Sequence, residues 1–230
     1  MSDSQRCVAI ACISTIRESF FDLSSAVDSD NEDILYTMKK LALYGFGGHA
    51  REVAAQMGVD LVYFVDDQYL CEGALPISQF DPEVYQIMVA IADSQLRQQA
   101  VRRLPARTEY FSFIHPSALL MSKKIEIGAG SFIGALSILT TDIRLGSHAL
   151  LNRANQMGHD TVVGDFFSMM PGAIVGGSVH IGDAVYLGSG VNVREKIHIV
   201  DQVTIGLQSS VVKHIQEPGV YVGTPCRKIR

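Results

Sequence analysis

The stretch MGHDTVVGDFFSMMPGAIVGGSVHIG, residues 157–182, repeats with a period of six residues. Every sixth residue from Ile127 to Val211 is aliphatic or Met, at fifteen positions without exception. The residue that follows is most often Gly, and the fourth residue after each aliphatic is mostly small or β-branched. Neither a helix, with its period of 3.6, nor an ordinary strand, with its period of 2, produces this pattern.

A repeat of six residues indicates a parallel β-helix. Each hexapeptide forms one short strand and one corner, and the aliphatic residue points into a triangular core. Gly is expected to ease the tight corner through its backbone freedom. Three hexapeptides complete a coil, so successive coils stack and bury a ladder of aliphatic side chains that no single coil could bury. The regularity of the pattern argues against an ordinary β-sandwich.

The sequence before the repeat has a different rhythm. LALYGFGGHAREVAAQMG (41–58) indicates a strand, a glycine-rich turn and a helix that stops at Gly58. Further strands are predicted in 59–67 and 85–93, and SQLRQQAVRRL (94–104) forms an amphipathic helix. The order β-α-β-β-α is a Rossmann-like half domain, which is typical of nucleotide binding.

The glycine-rich turn predicts a phosphate site. Gly45, Gly47 and Gly48 would let the backbone approach a phosphate at the N-terminus of the helix. Asp66 and Asp67 follow the second strand, where a ribose or a base would be recognised. The spacing G-x-G-G lacks one glycine of the dinucleotide fingerprint, so a purely structural turn stays open as an alternative.

Composition sets the remaining bounds. The net charge of −5 disfavours a nucleic-acid partner, and no apolar stretch is long enough to span a membrane. The four cysteines are scattered without zinc spacing, as in a reducing cytoplasm. The predicted division is a dispensable extension at 1–37, an α/β domain at 38–112, the β-helix at 113–216 and a C-terminal tail at 217–230.

The repeat also presents a candidate general base. His159 follows Gly158 in a corner, so its side chain should leave the core, and Asp160 follows it directly. A histidine titrates near neutral pH without a large pKa shift, and a neighbouring carboxylate fixes its tautomer. Spacing alone does not separate His159 from the other histidines of the repeat, which are His148, His180 and His198.

The combination of YGFGGHA (44–50), FVDD (64–67), GHDTVVGDF (158–166) and GVYVGTPCRKI (219–229) resembles one family over residues 38–230. It is the family of bacterial sugar acyltransferases with left-handed hexapeptide β-helices. The family includes nucleotide-amino-sugar N-acetyltransferases of the bacillosamine and perosamine type and sialic acid O-acetyltransferase-like proteins. The left hand of the β-helix, the homotrimer and the acetyl-CoA co-substrate in a groove between neighbouring helices are implied by this resemblance.

The resemblance also implies roles for individual residues. The catalytic group would be His159 as base, Asp160 as its acidic partner and Asn152 as a polar neighbour. The nucleotide-linked sugar would contact Gly45, Gly47, Gly48, His49, Asp66, Asp67 and Ala92. Acetyl-CoA would contact Ser168, Gly177, Ser189, Gly206, Leu207 and Lys228. Four places depart from the family: Ala92-Asp93 replaces a usual Gly-Asn pair, Ser168 a usual histidine, Leu207 a common glycine and Cys226 a usual alanine.

The expected function is a cytoplasmic N-acetyltransferase that transfers acetyl from acetyl-CoA to a nucleotide-linked 4-amino-6-deoxy sugar, for surface glycan or glycoprotein synthesis. No metal is expected. An O-acetyltransferase of a sugar such as sialic acid is the nearest alternative, because a hydroxyl acceptor would use the same base. A non-catalytic or metal-binding β-helix is the more distant alternative, based on the 18-residue spacing of His180 and His198.

Overall fold

The computed structural model describes residues 10–11 and 39–230. The proposed extension at 1–37, with Cys7 and Cys12, lies almost wholly outside the described residues. Its described part is strand β1 (Ile10–Ala11), which pairs in parallel with β6 (Ser112–Ile114).

The N-terminal part is a parallel sheet of four strands in the order β4-β3-β2-β5. The bounds are β2 (Lys40–Tyr44), α1 (Gly48–Met57), β3 (Val62–Val65), β4 (Leu75–Pro76), β5 (Tyr85–Val89) and α2 (Ser94–Arg103). This matches the predicted Rossmann-like half domain, with one addition. The edge strand β4 has only two residues, one of them Pro, and is too short to give a periodic pattern in the sequence.

Local signals set the helix ends. Helix α1 ends at Gly58, which has φ +64° and donates its N–H to the Ala54 carbonyl. Helix α2 begins after Asp93, whose carboxylate accepts a hydrogen bond from the Leu96 N–H at 2.8 Å. Helix α1 starts at Gly47 and Gly48 without any side-chain cap, so its first N–H groups face an open turn.

The C-terminal part is the predicted left-handed β-helix, built from three sheets. The nine-stranded sheet holds β1, β6, β9 (Phe132–Ile133), β12 (Leu150–Leu151), β15 (Ser168–Met169), β18 (Tyr186–Leu187), β21 (Val203–Ile205), β23 (Gly219–Gly223) and β24 (Cys226–Lys228). The six-stranded sheet holds β7 (Leu119–Leu120), β10 (Ile138–Leu139), β13 (Gln156–Met157), β16 (Ile174–Val175), β19 (Asn192–Val193) and β22 (Ser210–Val211). The five-stranded sheet holds β8 (Ile125–Ile127), β11 (Ile143–Leu145), β14 (Val162–Val163), β17 (His180–Ile181) and β20 (His198–Ile199).

The register confirms the 18-residue coil. Leu151 lies beside Met169, and Met169 beside Leu187, in a column that runs through the core. From residue 133 to 211 the aliphatic column is buried throughout, and only its first member, Ile127, is partly exposed. The segment 217–230, expected as a tail, forms an antiparallel hairpin of β23 and β24 that extends the nine-stranded sheet.

The glycine column has a different cause from the expected one. The left-handed corner residues are not these glycines but lie two places later, for example His148, Asp160 and Phe166, each with φ near +57°. At Gly158, an added Cβ would lie 2.5 Å from the backbone nitrogen of Gly177 in the next coil. Glycine is therefore required by the close approach of stacked coils rather than by backbone freedom.

A ladder of three aspartates also ties the coils together. Each carboxylate accepts the backbone N–H of the residue one coil earlier, over 2.7 to 2.9 Å. The donors are Ser147, Asp165 and Asp183, and the acceptors are Asp165, Asp183 and Asp201. Each corner thus satisfies a donor that the strand ladders leave unpaired.

Replacement of Gly176 by Ala tests the close-approach explanation. An added Cβ would lie 2.6 Å from the Glu195 backbone nitrogen, and the backbone there cannot move without breaking the stack. We expect a loss of about 3 kcal/mol in the free energy of unfolding, as for overpacked cores. Gly172→Ala is the control, because Gly172 has φ +70° and open space around it. It should cost only about 1 kcal/mol of left-handed strain. Equal losses in urea titrations would contradict the explanation.

Candidate functional site

The carboxyl ends of β2 and β3 form a cleft of about 580 Å³. Cleft volumes of this size are typical of small-molecule sites. Aromatic and apolar side chains line it together with acidic, amide and guanidinium groups. The lining residues are Tyr44, Gly45, Phe46, Gly47, Val65, Asp66, Gln68, Tyr69, Cys71, Ile91, Leu96, Gln99 and Arg103.

The glycines of the turn divide into two kinds. Gly45 is required by the fold, because it has φ +128° and its Cβ would lie 3.1 Å from the Ala90 carbonyl oxygen. Gly47 and Gly48 have ordinary backbone angles and nothing within 4 Å of an added Cβ. Packing within the described chain does not demand glycine at these two positions. Their open surroundings at the N-terminus of α1 suit the approach of an anionic ligand.

Of the two predicted acids, Asp66 lines the cleft, whereas Asp67 does not, and their surroundings differ. Asp66 accepts hydrogen bonds from Tyr44 Oη and from Arg103, which reaches both carboxylate oxygens at 3.0 and 3.2 Å. Burial raises the pKa of Tyr44, and the hydrogen bond to the Asp66 carboxylate raises it further. Asp67 is exposed, and its Oδ1 accepts the Ser78 N–H at 3.2 Å. Asp66 therefore shapes the cleft floor, whereas Asp67 is freer to meet a ligand.

His159 lies on an exposed corner of the β-helix between the six-stranded and the five-stranded sheets. Its Nδ1 lies 2.7 Å from Asp160 Oδ2, so the carboxylate fixes the Nδ1–H tautomer and leaves Nε2 as a proton acceptor. A Cβ at Gly177 would lie 2.7 Å from His159 Nε2, so this glycine places bare backbone beside the ring. His159, Asp160 and Gly177 are brought together as expected.

Asn152 lies at another corner. It follows β12 of the nine-stranded sheet, is 3% exposed, and donates from Nδ2 to Glu52 Oε2 of α1 at 3.4 Å. His49 faces the same carboxylate, with Nδ1 3.7 Å from Glu52 Oε2, and burial lowers its pKa. The structure therefore groups Asn152 with His49, and not with His159 of the same chain.

Ser168 does not line a surface groove. It is fully buried beneath α2, where its hydroxyl donates to the Ala92 carbonyl at 2.7 Å and lies 3.0 Å from Ser94 Oγ. The expectation that Ser168 contacts CoA is therefore corrected, because the α/β domain covers this face of the β-helix. This contact between the α/β domain and the β-helix is called the domain junction. Ala92 is part of it, because its carbonyl oxygen accepts hydrogen bonds from Arg97 and Ser168.

Arg97 of α2 is the centre of this junction. It is 1% exposed and donates to five carbonyl oxygens and to Ser168 Oγ, over 2.6 to 3.2 Å. Burial lowers its pKa to about 9, which leaves the guanidinium charged at neutral pH. The buried face of α2 carries Ser94, Arg97 and Ala100, while Leu96 is 54% exposed. These three residues follow an i, i+3, i+6 spacing, which marks one face of a helix. The spacing could have indicated that Arg97 is buried, although this face is not apolar.

The other predicted CoA contacts are spread over the surface. Ser189 and Leu207 are exposed and occupy equivalent corner positions one coil apart, on the same edge as Asn152. Gly206 packs against the C-terminal hairpin, where an added Cβ would lie 2.7 Å from Val222 Cγ1. Lys228 is already paired with Glu217 at 2.8 Å. Within one chain, these residues do not share a corner with Gly177.

The histidines of the five-stranded sheet form a stack. The rings of His180 and His198 are parallel with centroids 4.7 Å apart, and His198 meets His214 edge-on at 5.3 Å. Among the described residues, no group of three or more His, Cys, Asp or Glu side chains is arranged to hold a metal ion. The described helices also include none that is long and apolar enough to cross a membrane.

The chain is similar to known proteins both in its N-terminal part and over most of its length. Residues 40–104 match the family of PglD N-terminal domains. The acetyltransferase domain of PglB from Neisseria gonorrhoeae matches with 26% identity and a TM-score of 0.73, over 84% of this chain and 100% of that chain. WeeI from Acinetobacter baumannii matches with 23% identity and a TM-score of 0.74, over 84% and 100%.

A third similar structure is a variant of perosamine N-acetyltransferase from Caulobacter crescentus in complex with CoA and GDP-perosamine. It has 22% identity and a TM-score of 0.73, over 83% of this chain and 97% of that chain. Together with the PglD N-terminal domain, these matches confirm the predicted fold and the predicted resemblance to bacterial sugar N-acetyltransferases. The predicted class of enzyme, an acyltransferase, is confirmed with them.

The burial of His148 at the domain junction predicts that the free energy of unfolding depends on pH. Its ring is buried between Phe166 and Tyr110, and burial lowers its pKa from 6.5 to about 4. Between these values the unfolded chain binds more protons, so the free energy of unfolding falls as the pH drops. We expect a loss of about 2 kcal/mol between pH 6.5 and 4.5, measured by denaturant titration. His148→Asn, which tolerates the left-handed backbone, should have a clearly shallower slope, with the remainder due to His49. An unchanged slope would contradict this assignment.

Proposed function

We propose that the protein transfers an acetyl group from acetyl-CoA to the amine of a nucleotide-linked 4-amino-6-deoxy sugar. The observation that carries the proposal is the His159–Asp160 pair, held at 2.7 Å beside Gly177 on an exposed corner. The same chain provides a cleft of nucleotide size at an open helix N-terminus. The complexes of the Caulobacter enzyme with CoA and GDP-perosamine, and of the Neisseria domain with acetyl coenzyme A, support this substrate class.

In the proposed mechanism, His159 Nε2 removes a proton from the amine as its nitrogen attacks the thioester carbonyl carbon. Asp160 stabilises the imidazolium that forms. The carbonyl oxygen becomes an oxyanion, to which the Gly177 backbone N–H would donate, because the Gly176 and Ser178 N–H groups already donate to Val193 and His159. The carbon–sulfur bond then breaks, the CoA sulfur takes the proton from His159, and the acetylated sugar leaves. Asn152 acts on the acceptor sugar rather than on the base of its own chain.

The geometry of the prism favours a site shared between chains. The α/β domain packs on the nine-stranded sheet through Phe132, Leu150 and Met170. His159 lies at the corner opposite that face, so the cleft and the base of one chain point away from each other. The outer face of the six-stranded sheet exposes Leu119 and Ile174, with Leu136 at an adjoining corner. We propose that this apolar face joins a homotrimer in which a neighbour's His159 faces the cleft.

His159→Ala tests the base. We expect CoA release with acetyl-CoA and a panel of UDP- and GDP-linked 4-amino-6-deoxy sugars to fall by about 100-fold or more. His180→Ala is the matched control, because it removes another exposed histidine of the same β-helix and should leave the rate unchanged. Full turnover in His159→Ala would mean that another group is the base. Turnover by wild type with hydroxyl sugars alone would indicate the O-acetyltransferase alternative.

Complementation tests the shared site. Gly47→Trp should block the cleft without disturbing the fold, because the space around Gly47 is open. Neither Gly47→Trp nor His159→Ala should be active alone. Chains of both kinds, co-expressed in equal amounts, should recover about a quarter of the wild-type rate, since half of the clefts and half of the bases are intact. A mixture without activity would indicate that each chain forms its site alone.

A further inference from the structure

A polar cluster lies where α1 meets the β-helix corner after β12. It consists of His49, Glu52, Asn152 and Arg153 and is called the junction cluster below. Glu52 Oε1 pairs with Arg153 Nη1 at 3.2 Å, and Glu52 Oε2 lies 3.4 Å from Asn152 Nδ2 and 3.7 Å from His49 Nδ1. Asn152 Oδ1 accepts from the Arg153 backbone N–H at 2.8 Å and from Arg153 Nη1 at 3.5 Å. Glu52 is thus the residue that all three others contact.

The two oxygens of Glu52 are used unequally. Oε1 meets a guanidinium in a normal ion pair, whereas Oε2 has only two long contacts. A carboxylate oxygen accepts two hydrogen bonds, and only the Asn152 contact is within hydrogen-bond distance, so Oε2 keeps capacity for a further donor. The Glu52 side chain is 48% exposed, which leaves it accessible to a ligand.

His49 adds a second acceptor to the junction cluster. Burial lowers its pKa, so the ring is neutral near pH 7. Its Nδ1 faces the Glu52 carboxylate, which favours the proton on that nitrogen. Nε2 then carries a lone pair, and it is a buried polar atom without a hydrogen-bond partner among the described residues. A carboxylate beside a neutral imidazole suits a cationic group with several N–H donors better than a hydroxyl with one.

The position of Glu52 relative to the glycine turn fits an acceptor sugar. Glu52 lies four residues beyond Gly48, about 6 Å along the helix axis. A diphosphate at the N-terminus of α1 would place its attached pyranose along this face of the helix, between the cleft and Asn152. With the sugar in that place, its amine or hydroxyl acceptor would meet the Glu52 carboxylate.

Resting on the proposed function, we propose that Glu52 is a specificity-determining residue that selects an amine over a hydroxyl at the acceptor position of the sugar. It does so by accepting hydrogen bonds from the bound ammonium, which loses its extra proton to solvent before the amine attacks the thioester and His159 takes the next proton. Arg153 moderates this selection, because its guanidinium competes with the ammonium for the same carboxylate.

The test compares the affinities of paired ligands. UDP- and GDP-linked 4-amino-6-deoxyhexoses are titrated by calorimetry at pH 7 beside otherwise identical 4-hydroxy compounds, and the ratio of the two Kd values is the readout. In Glu52→Gln, which keeps the shape and removes the charge, the preference for the amine should fall about tenfold. In Arg153→Met the preference should be retained or increased, because the carboxylate is released.

Gln56→Leu is the structural control. Gln56 lies one turn further along α1, and its Oε1 accepts the Ala135 N–H at 2.8 Å in a purely structural contact with the β-helix. It should lower the melting temperature without changing the Kd ratio. If Glu52 and Arg153 formed only a structural ion pair, Glu52→Gln and Arg153→Met would lower the stability equally. Both substitutions would then change the Kd ratio by the same amount.

The outcomes separate the two proposals. An unchanged ratio in Glu52→Gln, or a fall in both Glu52→Gln and Arg153→Met, overturns the role of Glu52 and leaves the proposed function standing. A fall in Glu52→Gln without a fall in Arg153→Met supports it. If wild type binds no pair at all, the proposed function fails, and the role of Glu52 fails with it.

Discussion

The close stacking of coils is the constraint on which the rest of the structure depends. Strands of two or three residues cannot hold a register by themselves, so each coil is fixed by backbone hydrogen bonds to the coil 18 residues away. At the corners the backbones of neighbouring coils approach so closely that a single methyl group at Gly158 would collide with the next coil. Coil length, glycine column and aspartate ladder all follow from this approach, and together they fix where every outward side chain lies.

The sheets and corners of the rigid β-helix have different roles. The nine-stranded sheet carries the α/β domain, locked by the buried guanidinium of Arg97. The opposite corner carries His159, whose side chain is exposed to solvent. In the function proposed for this chain, association of chains would bring the nucleotide cleft and the base together, so assembly and chemistry would be linked.

The sequence predicted well whatever depends on periodicity. The repeat of six residues identified the buried columns and the sheet order, and the corner position of His159 beside Asp160 follows directly from it. Periodicity separates inward from outward residues, but it does not show which outward face another domain covers. The resemblance to the family implied that Ser168 contacts CoA, although the residue lies under α2.

Residues of the domain junction were beyond the reach of local pattern. Arg97, Glu52 and Arg153 read as ordinary surface charges, and their partners are 50 to 100 residues away in the chain. Asn152 was predicted near the base because the resemblance to the family implied it. Within one chain, one side of the triangular coil separates the two residues, so they lie at different corners despite their short distance along the sequence.

The aspartate ladder has a consequence for how the molecule is made. Ser147, Asp165 and Asp183 each depend on a carboxylate that lies 18 residues later in the chain. On a ribosome, which releases the N-terminal residues first, no coil has all its partners until the next coil has emerged. The ordered region therefore grows one coil behind synthesis, and the coil that carries Asp183 gains this hydrogen bond only once Asp201 has emerged.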